Sequence, residues 1–142
     1  MMVILMKCKR SPMYKAVAVF RYKMGLPLST EPHLLSSDDV SYHARFIMEE
    51  LSEFLKANEE QNIVDAADAL ADLVYVILGV AHHMGLPFEN IFQIVHSCNM
   101  QKEPAGPEIR SKRGMKYNLI KPSHWPHPES AIRALLENRH GN

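Results

Sequence analysis

Residues 65–81, "DAADALADLVYVILGVA", constrain the fold more than any other stretch of the chain. Without Asp65, Asp68 and Asp72 the segment is almost wholly apolar, and the nine-residue run Leu73–Ala81 carries no charge. A helix that is apolar all round needs neighbours all round, so the composition predicts a helix packed on every side. The aspartates conflict with that burial, because an unpartnered carboxylate away from water is costly. At about 100° per residue they fall within roughly 60° of one another on one face, Asp68 and Asp72 one turn apart. Like charges at that spacing repel. The pattern predicts something positive between them.

Punctuation places the other elements. "MGLP" occurs twice, at Met24–Pro27 and Met84–Pro87. Glycine adopts the left-handed conformation that closes a helix, leucine folds back on the last turn, and proline prevents continuation. Helices are expected over about Pro12–Met24, Ser37–Ala57, Asn62–Met84 and Pro87–Met100, with a short one over Pro128–Asn138. Ser36–Asp39, "SSDD", reads as a cap for the second. Within it Val40, Ala44, Ile47, Leu51 and Phe54 recur at three- and four-residue steps, which predicts a single apolar stripe against the core. Periodicity stops at Gln101: residues 101–130 contain five Pro and two Gly, with six Lys or Arg between Lys102 and Lys121. Strand character is confined to Lys116–Ile120. The expected fold is all-α, four to five helices in one domain over 1–142, with an irregular basic tail from about residue 101.

The 142 residues are 46% hydrophobic and 23% charged, enough for a core of this kind. A formal net charge of zero removes any global electrostatic case for nucleic acid or an anionic membrane as partner. Six apolar residues precede Lys7, too few for a signal-peptide core, and the nine-residue run is about half of a membrane span. Cys8 and Cys98 have neither metal nor redox spacing and fit a reducing compartment. A cytoplasmic location is expected.

The second helix answers the aspartates with "EELSE", which contains Glu49, Glu50 and Glu53. Glu50 and Glu53 flank the apolar stripe, and Glu49 projects further round. From Glu49 to Asp72 there are eight acidic residues and one basic one, Lys56. If the second and third helices are antiparallel across a short turn at Asn58–Gln61, four or five carboxylates face one another with almost no counter-charge. Oxygen-only donors and high negative charge describe a site for Mg²⁺ or Mn²⁺, and Mg²⁺ usually accompanies phosphate. Plain helix-dipole roles account for Glu59, Glu60 and Asp65, but not for Asp68 and Asp72 among apolar neighbours. A di-iron bundle asks for Glu-x-x-His on each of two helices, and this chain does not supply that pair.

These segments, "EELSEF", "DAADALADLVYVILGVAHHMGLP", "IFQIVHSCNMQK" and "GMKYNLIKP", resemble the all-α NTP pyrophosphohydrolases, the superfamily of MazG and phosphoribosyl-ATP pyrophosphohydrolase. The resemblance runs from about Phe20 to Glu129. It implies a MazG-like bundle, a homodimer or higher homo-oligomer with intertwined helices, and a nucleotide substrate. It implies Glu50 and Glu53 as a first metal-binding pair, Glu49 as a ligand or positioner of the attacking water, and Asp72 as the final acid of a Glu-x-x-Asp. Ala69 stands where that motif has its first acid, so Asp68 is the substitute, with the Asp65–Asp68 pair as the alternative. Glu49 or Glu50 is the expected catalytic carboxylate, Asn99 a contact to base or sugar, and Lys102 and Lys116, with Arg113, contacts to phosphate. Tyr117 is a candidate for stacking on a base. His82, His83 and the His124–Trp125–His127 group read as packing or helix-end residues, His96 as equally a packing or a functional residue, and Tyr75 as core. The implied reaction cleaves an NTP or dNTP to monophosphate and pyrophosphate. The alternatives are hydrolysis of phosphoribosyl-ATP in histidine biosynthesis, or a non-catalytic helical dimer that binds metal or nucleotide.

Overall fold

The computed structural model describes residues 11–106 and 119–138. They form five helices: α1 (Pro12–Lys23), α2 (Ser37–Glu59), α3 (Ile63–His83), α4 (Phe88–Asn99) and α5 (Pro128–Glu137). One antiparallel pair of two-residue strands, β1 (Glu103–Pro104) and β2 (Leu119–Ile120), completes the set. The fold is all-α, as the sequence indicates. No helix among the described residues is long and apolar enough to cross a membrane. Cys8, Arg113, Lys116 and Tyr117 lie outside the described residues.

Local chemistry sets the helix ends. Ser11 and Ser36 cap α1 and α2, each hydroxyl accepting from the N–H three residues on, and Asn62 caps α3 by accepting from Val64 and Asp65. Both "MGLP" glycines are left-handed, with φ 63° at Gly25 and 67° at Gly85. Each following leucine donates its N–H to the carbonyl five residues back, Leu26 to Arg21 and Leu86 to Ala81, at 2.9 and 3.0 Å. That closure satisfies carbonyls a helix otherwise leaves open. The loop after α1 satisfies one carbonyl on α3 and one on its C-cap: Ser29 N–H donates to His82 and His33 N–H to Met84, both at 3.0 Å.

The chain divides into two compact units, Met1–Glu89 and Asn90–Asn142. In the first, α2 and α3 form a hairpin, turned at Gln61 with φ 56°, and α1 packs on α3. Tyr14 and Val17 of α1 meet Leu78 and Ala81 of α3, with Phe88 against them. Tyr14 also stacks on His82 at a ring separation of 3.8 Å and donates its hydroxyl to Leu86 O at 2.8 Å. The second unit is organised around buried Trp125, whose indole N–H donates to Cys98 O at 2.6 Å.

Three expectations fail in this unit-by-unit view. The third helix is not packed on every side. Its buried residues are Ala66, Ala69, Val76, Leu78, Gly79, Ala81 and His82, while Ile63, Val64, Leu70, Val74 and Ile77 are exposed, as are Asp65, Asp68 and Asp72. The apolar stripe of α2 faces the core only in part: Ile47 and Phe54 are half-buried, Val40, Ala44 and Leu51 are exposed, and the buried residues are His43, Glu50 and Ala57. The buried residues of α3 include the small side chains Ala66, Ala69, Gly79 and Ala81, which cover little of a neighbouring helix. Tyr75, expected in the core, is 38% exposed and meets Phe20 edge to face at 5.4 Å.

Candidate active site

Glu50 is buried on the α2–α3 hairpin, and its Oε2 is the one buried side-chain polar atom among the described residues with no hydrogen-bond partner. Its carboxyl pKa is pushed above the ordinary range, first by burial, then by Asp72, Glu53, Glu49 and Asp68 in that order. Four exposed carboxylates therefore act on one that is buried, and the charge is expensive there. The hairpin brings Glu49, Glu50 and Glu53 of α2 into electrostatic range of Asp68 and Asp72 of α3. Asp65 is not among the groups acting on Glu50. Its carboxylate accepts from Asn62 Nδ2 at 2.6 Å, which ties it to the start of α3. Lys56, the one basic residue of this stretch, lies 3.9 Å from Glu60.

The donor set fits a hard divalent cation: every candidate ligand is a carboxylate oxygen, and Glu50 Oε2 is an orphaned acceptor that a cation would satisfy. The side-chain ends do not close on one point. Among the described residues no group of three His, Cys, Asp or Glu side chains is placed to hold an ion. Carboxylates with no positive charge between them repel, which accounts for four of the five ending in solvent.

One turn from Glu50 along α2, and one turn from Asp72 along α3, stands a cavity of about 240 Å³. Its aromatic walls are Phe20 of α1, Tyr42 and Phe46 of α2, and Tyr75 of α3; Arg21 and His43 supply its polar groups. Arg21 is buried and donates from Nε and Nη2 to Pro27 O at 3.0 and 2.7 Å. Gly79 makes room for it, since a Cβ there would lie 3.1 Å from Arg21 Nη1. His43 Nε2 sits 3.1 Å from His83 Nδ1. Burial holds both imidazoles below their usual pKa. His83 and Arg21 push His43 further down against Asp39; for His83, Asp39 opposes burial while Arg21 and His33 add to it. Sequence reasoning missed this cavity. The signal available was the four-residue spacing of Tyr42 and Phe46, aromatic residues on α2 that end one turn before Glu50.

The other sequence candidates belong to the second unit. Asn99 is exposed at the end of α4, with its carbonyl accepting from Lys102 N–H at 3.1 Å. Lys102 is half-buried, its Nζ 5.7 Å from the centre of the Trp125 ring.

Residues 17–99, more than half of the chain and all of α2 and α3, match the family described as phosphoribosyl-ATP pyrophosphohydrolase. The chain belongs to that family. It is a pyrophosphohydrolase, a hydrolase acting on phosphoric anhydride bonds, within the all-α NTP pyrophosphohydrolase superfamily. No curated protein gives a significant match. The matched span holds all five carboxylates, the cavity residues and Asn99; Lys102 follows it.

Proposed function

We propose that the chain hydrolyses the α–β phosphoanhydride of a nucleoside or deoxynucleoside triphosphate, releasing monophosphate and pyrophosphate, with Mg²⁺ or Mn²⁺. The observation that carries this reading is Glu50 Oε2, buried and partnerless, surrounded by four further carboxylates and one helical turn from an aromatic cavity. Glu50, Glu53, Asp68 and Asp72 are the ligand set; the engagement of Asp65 by Asn62 favours Asp68 over it. A bound divalent cation would shield phosphate charge and lower the pKa of an attached water.

The rest belongs to the chain's own side chains. Glu50 is fixed by burial and marks where positive charge is needed. Glu49, exposed beside it, takes the proton of the attacking water as its oxygen bonds to phosphorus and the bridging oxygen leaves with pyrophosphate. Phe20, Tyr42, Phe46 and Tyr75 offer faces and edges to a base. At about 240 Å³ the cavity is smaller than the ~300–1,000 Å³ of sites that enclose a whole ligand, which suits one ring system with sugar and phosphates outside. Asn99 contacts sugar or base, Lys102 and Lys116 contact phosphate, and Tyr117 stacks. A cytoplasmic homodimer is part of the same reading.

The family's description favours a second reading, phosphoribosyl-ATP as substrate. Its base carries an additional sugar phosphate, which the small cavity does not favour. Product chromatography separates the two. Protein with Mg²⁺ or Mn²⁺ is offered the NTPs, the dNTPs and phosphoribosyl-ATP, with EDTA and Asp72→Asn as controls. Monophosphate and pyrophosphate from an NTP or dNTP, absent from both controls, are expected. Turnover of phosphoribosyl-ATP alone would move the assignment to the second reading, and turnover that persists in EDTA would remove the metal.

A further inference from the structure

The second unit holds a cluster that the carboxylate site does not use. Strand β1 pairs with β2 in the register Glu103↔Ile120 and Pro104↔Leu119. Continued one residue outward, that register sets Lys102 opposite Lys121. Both ammonium groups stand by the ring of Trp125, Lys121 Nζ at 4.1 Å and Lys102 Nζ at 5.7 Å from its centre. The ring itself is fixed: it is 9% exposed, and its N–H is committed to Cys98 O. Like charges directly opposite across a strand pair destabilise it. Among the described residues neither lysine has a carboxylate within ion-pairing distance. The indole face offsets part of that repulsion, but it neutralises nothing. Two ammonium groups held at one fixed ring, with no carboxylate within ion-pairing distance among the described residues, are complementary to a multiply charged anion.

We propose that Lys102, Lys121 and Trp125 form an anion clamp for a di- or triphosphate group. Charge favours a linear oligophosphate over a single phosphate ester, because two ammonium groups attract the more highly charged anion more strongly. Lys121 is the new member, since the sequence offered Lys102 and not Lys121 as a phosphate contact. The clamp stands on its own as a binding site. It rests on the proposed function only for where the anion comes from, the substrate's triphosphate or the released pyrophosphate.

Trp125 is the single tryptophan of the chain, so indole emission reads this site alone. Full-length protein in EDTA, which keeps divalent cations off the carboxylates, is titrated with pyrophosphate while indole emission and heat are followed. AMP and sulfate at matched ionic strength are controls, and a nucleoside triphosphate is followed by heat. A saturable change with pyrophosphate, absent with AMP and sulfate, is expected. It should weaken roughly tenfold in Lys121→Met and in Lys102→Met, and it should weaken with added salt. Equal affinity for pyrophosphate and triphosphate would assign the clamp to the released product, and tighter triphosphate binding to the substrate. No saturable response by either readout, or methionine variants that titrate like the parent while keeping its circular dichroism, would overturn the clamp. Binding without any NTP turnover in the product assay would instead sink the proposed reaction and leave the clamp standing.

Discussion

Glu50 is placed at a cost to the folded chain: buried, with one oxygen unpartnered, and in the field of Asp72, Glu53, Glu49 and Asp68. Its raised pKa means that the folded state favours the protonated carboxyl. The cost is therefore absent at low pH and grows as pH rises through the ordinary glutamate range. Glu50→Gln keeps the shape and removes the charge. In EDTA at neutral pH the variant is expected to melt at or above the parent's Tm, and its gain should shrink towards pH 4. Added Mg²⁺ should raise the Tm of the parent and not of the variant, while hydrolysis falls roughly 100-fold or more. A variant that melts well below the parent in EDTA would contradict this account and give the carboxylate a structural role. At this scale the acids were legible because a carboxylate among apolar neighbours needs a reason. The burial of Glu50 was not, because the apolar stripe beside it pointed to a different face of α2.

The α2–α3 hairpin is the element on which everything in the first unit depends, and its open end is fastened by the His43–His83 contact. Burial depresses both imidazoles, and the groups facing them are Arg21, Asp39, His33 and each other. An unfolded chain takes up protons near the ordinary histidine pKa of 6.5, whereas the folded hairpin resists them. The stability this pair contributes is full above that value and is lost as pH falls through it. Calorimetry should record a Tm that drops between about pH 7 and pH 5, with a shallower drop in His83→Gln; identical slopes would remove the pair from the account. The helix stops make a second test. Gly25→Ala meets open space and pays only for its left-handed backbone, about 1 kcal/mol. Gly85→Ala would also set a Cβ 2.3 Å from Glu31 O, so denaturant unfolding should place it well below Gly25→Ala in stability. Helix number, order and ends were readable because caps, glycines and prolines act locally. Which face of each helix turns inward was not, because contacts between helices distant in sequence decide it. Lys121 and the aromatic cavity went unread for the same reason.

The molecule as a whole leaves a large apolar surface open for a chain of 16.2 kDa. Met48, Leu51 and Leu55 of α2 are 67%, 45% and 56% exposed, and Leu70, Val74 and Ile77 of α3 are 48%, 43% and 41% exposed. At about 100° per residue, Leu70, Val74 and Ile77 form one stripe that lies roughly opposite Asp65, Asp68 and Asp72 on α3. The apolar residues of α2 lie roughly 100° or more round that helix from Glu50, on the flank away from Glu49 and Glu53. A covering partner on these stripes would therefore hide hydrocarbon without closing the carboxylates off from substrate. Exposed apolar stripes of this kind favour an interaction site, and a second copy of the chain provides matching stripes. It would also return to α3 the neighbours that its composition demands. Light scattering on the parent is expected to give at least twice the chain mass, with a Tm that rises with protein concentration. Leu55→Lys combined with Val74→Lys should shift the mass towards a single chain and abolish the concentration dependence. A parent that scatters as a single 16.2 kDa chain at every concentration would sink the dimer and leave the apolar character of α3 to some other partner.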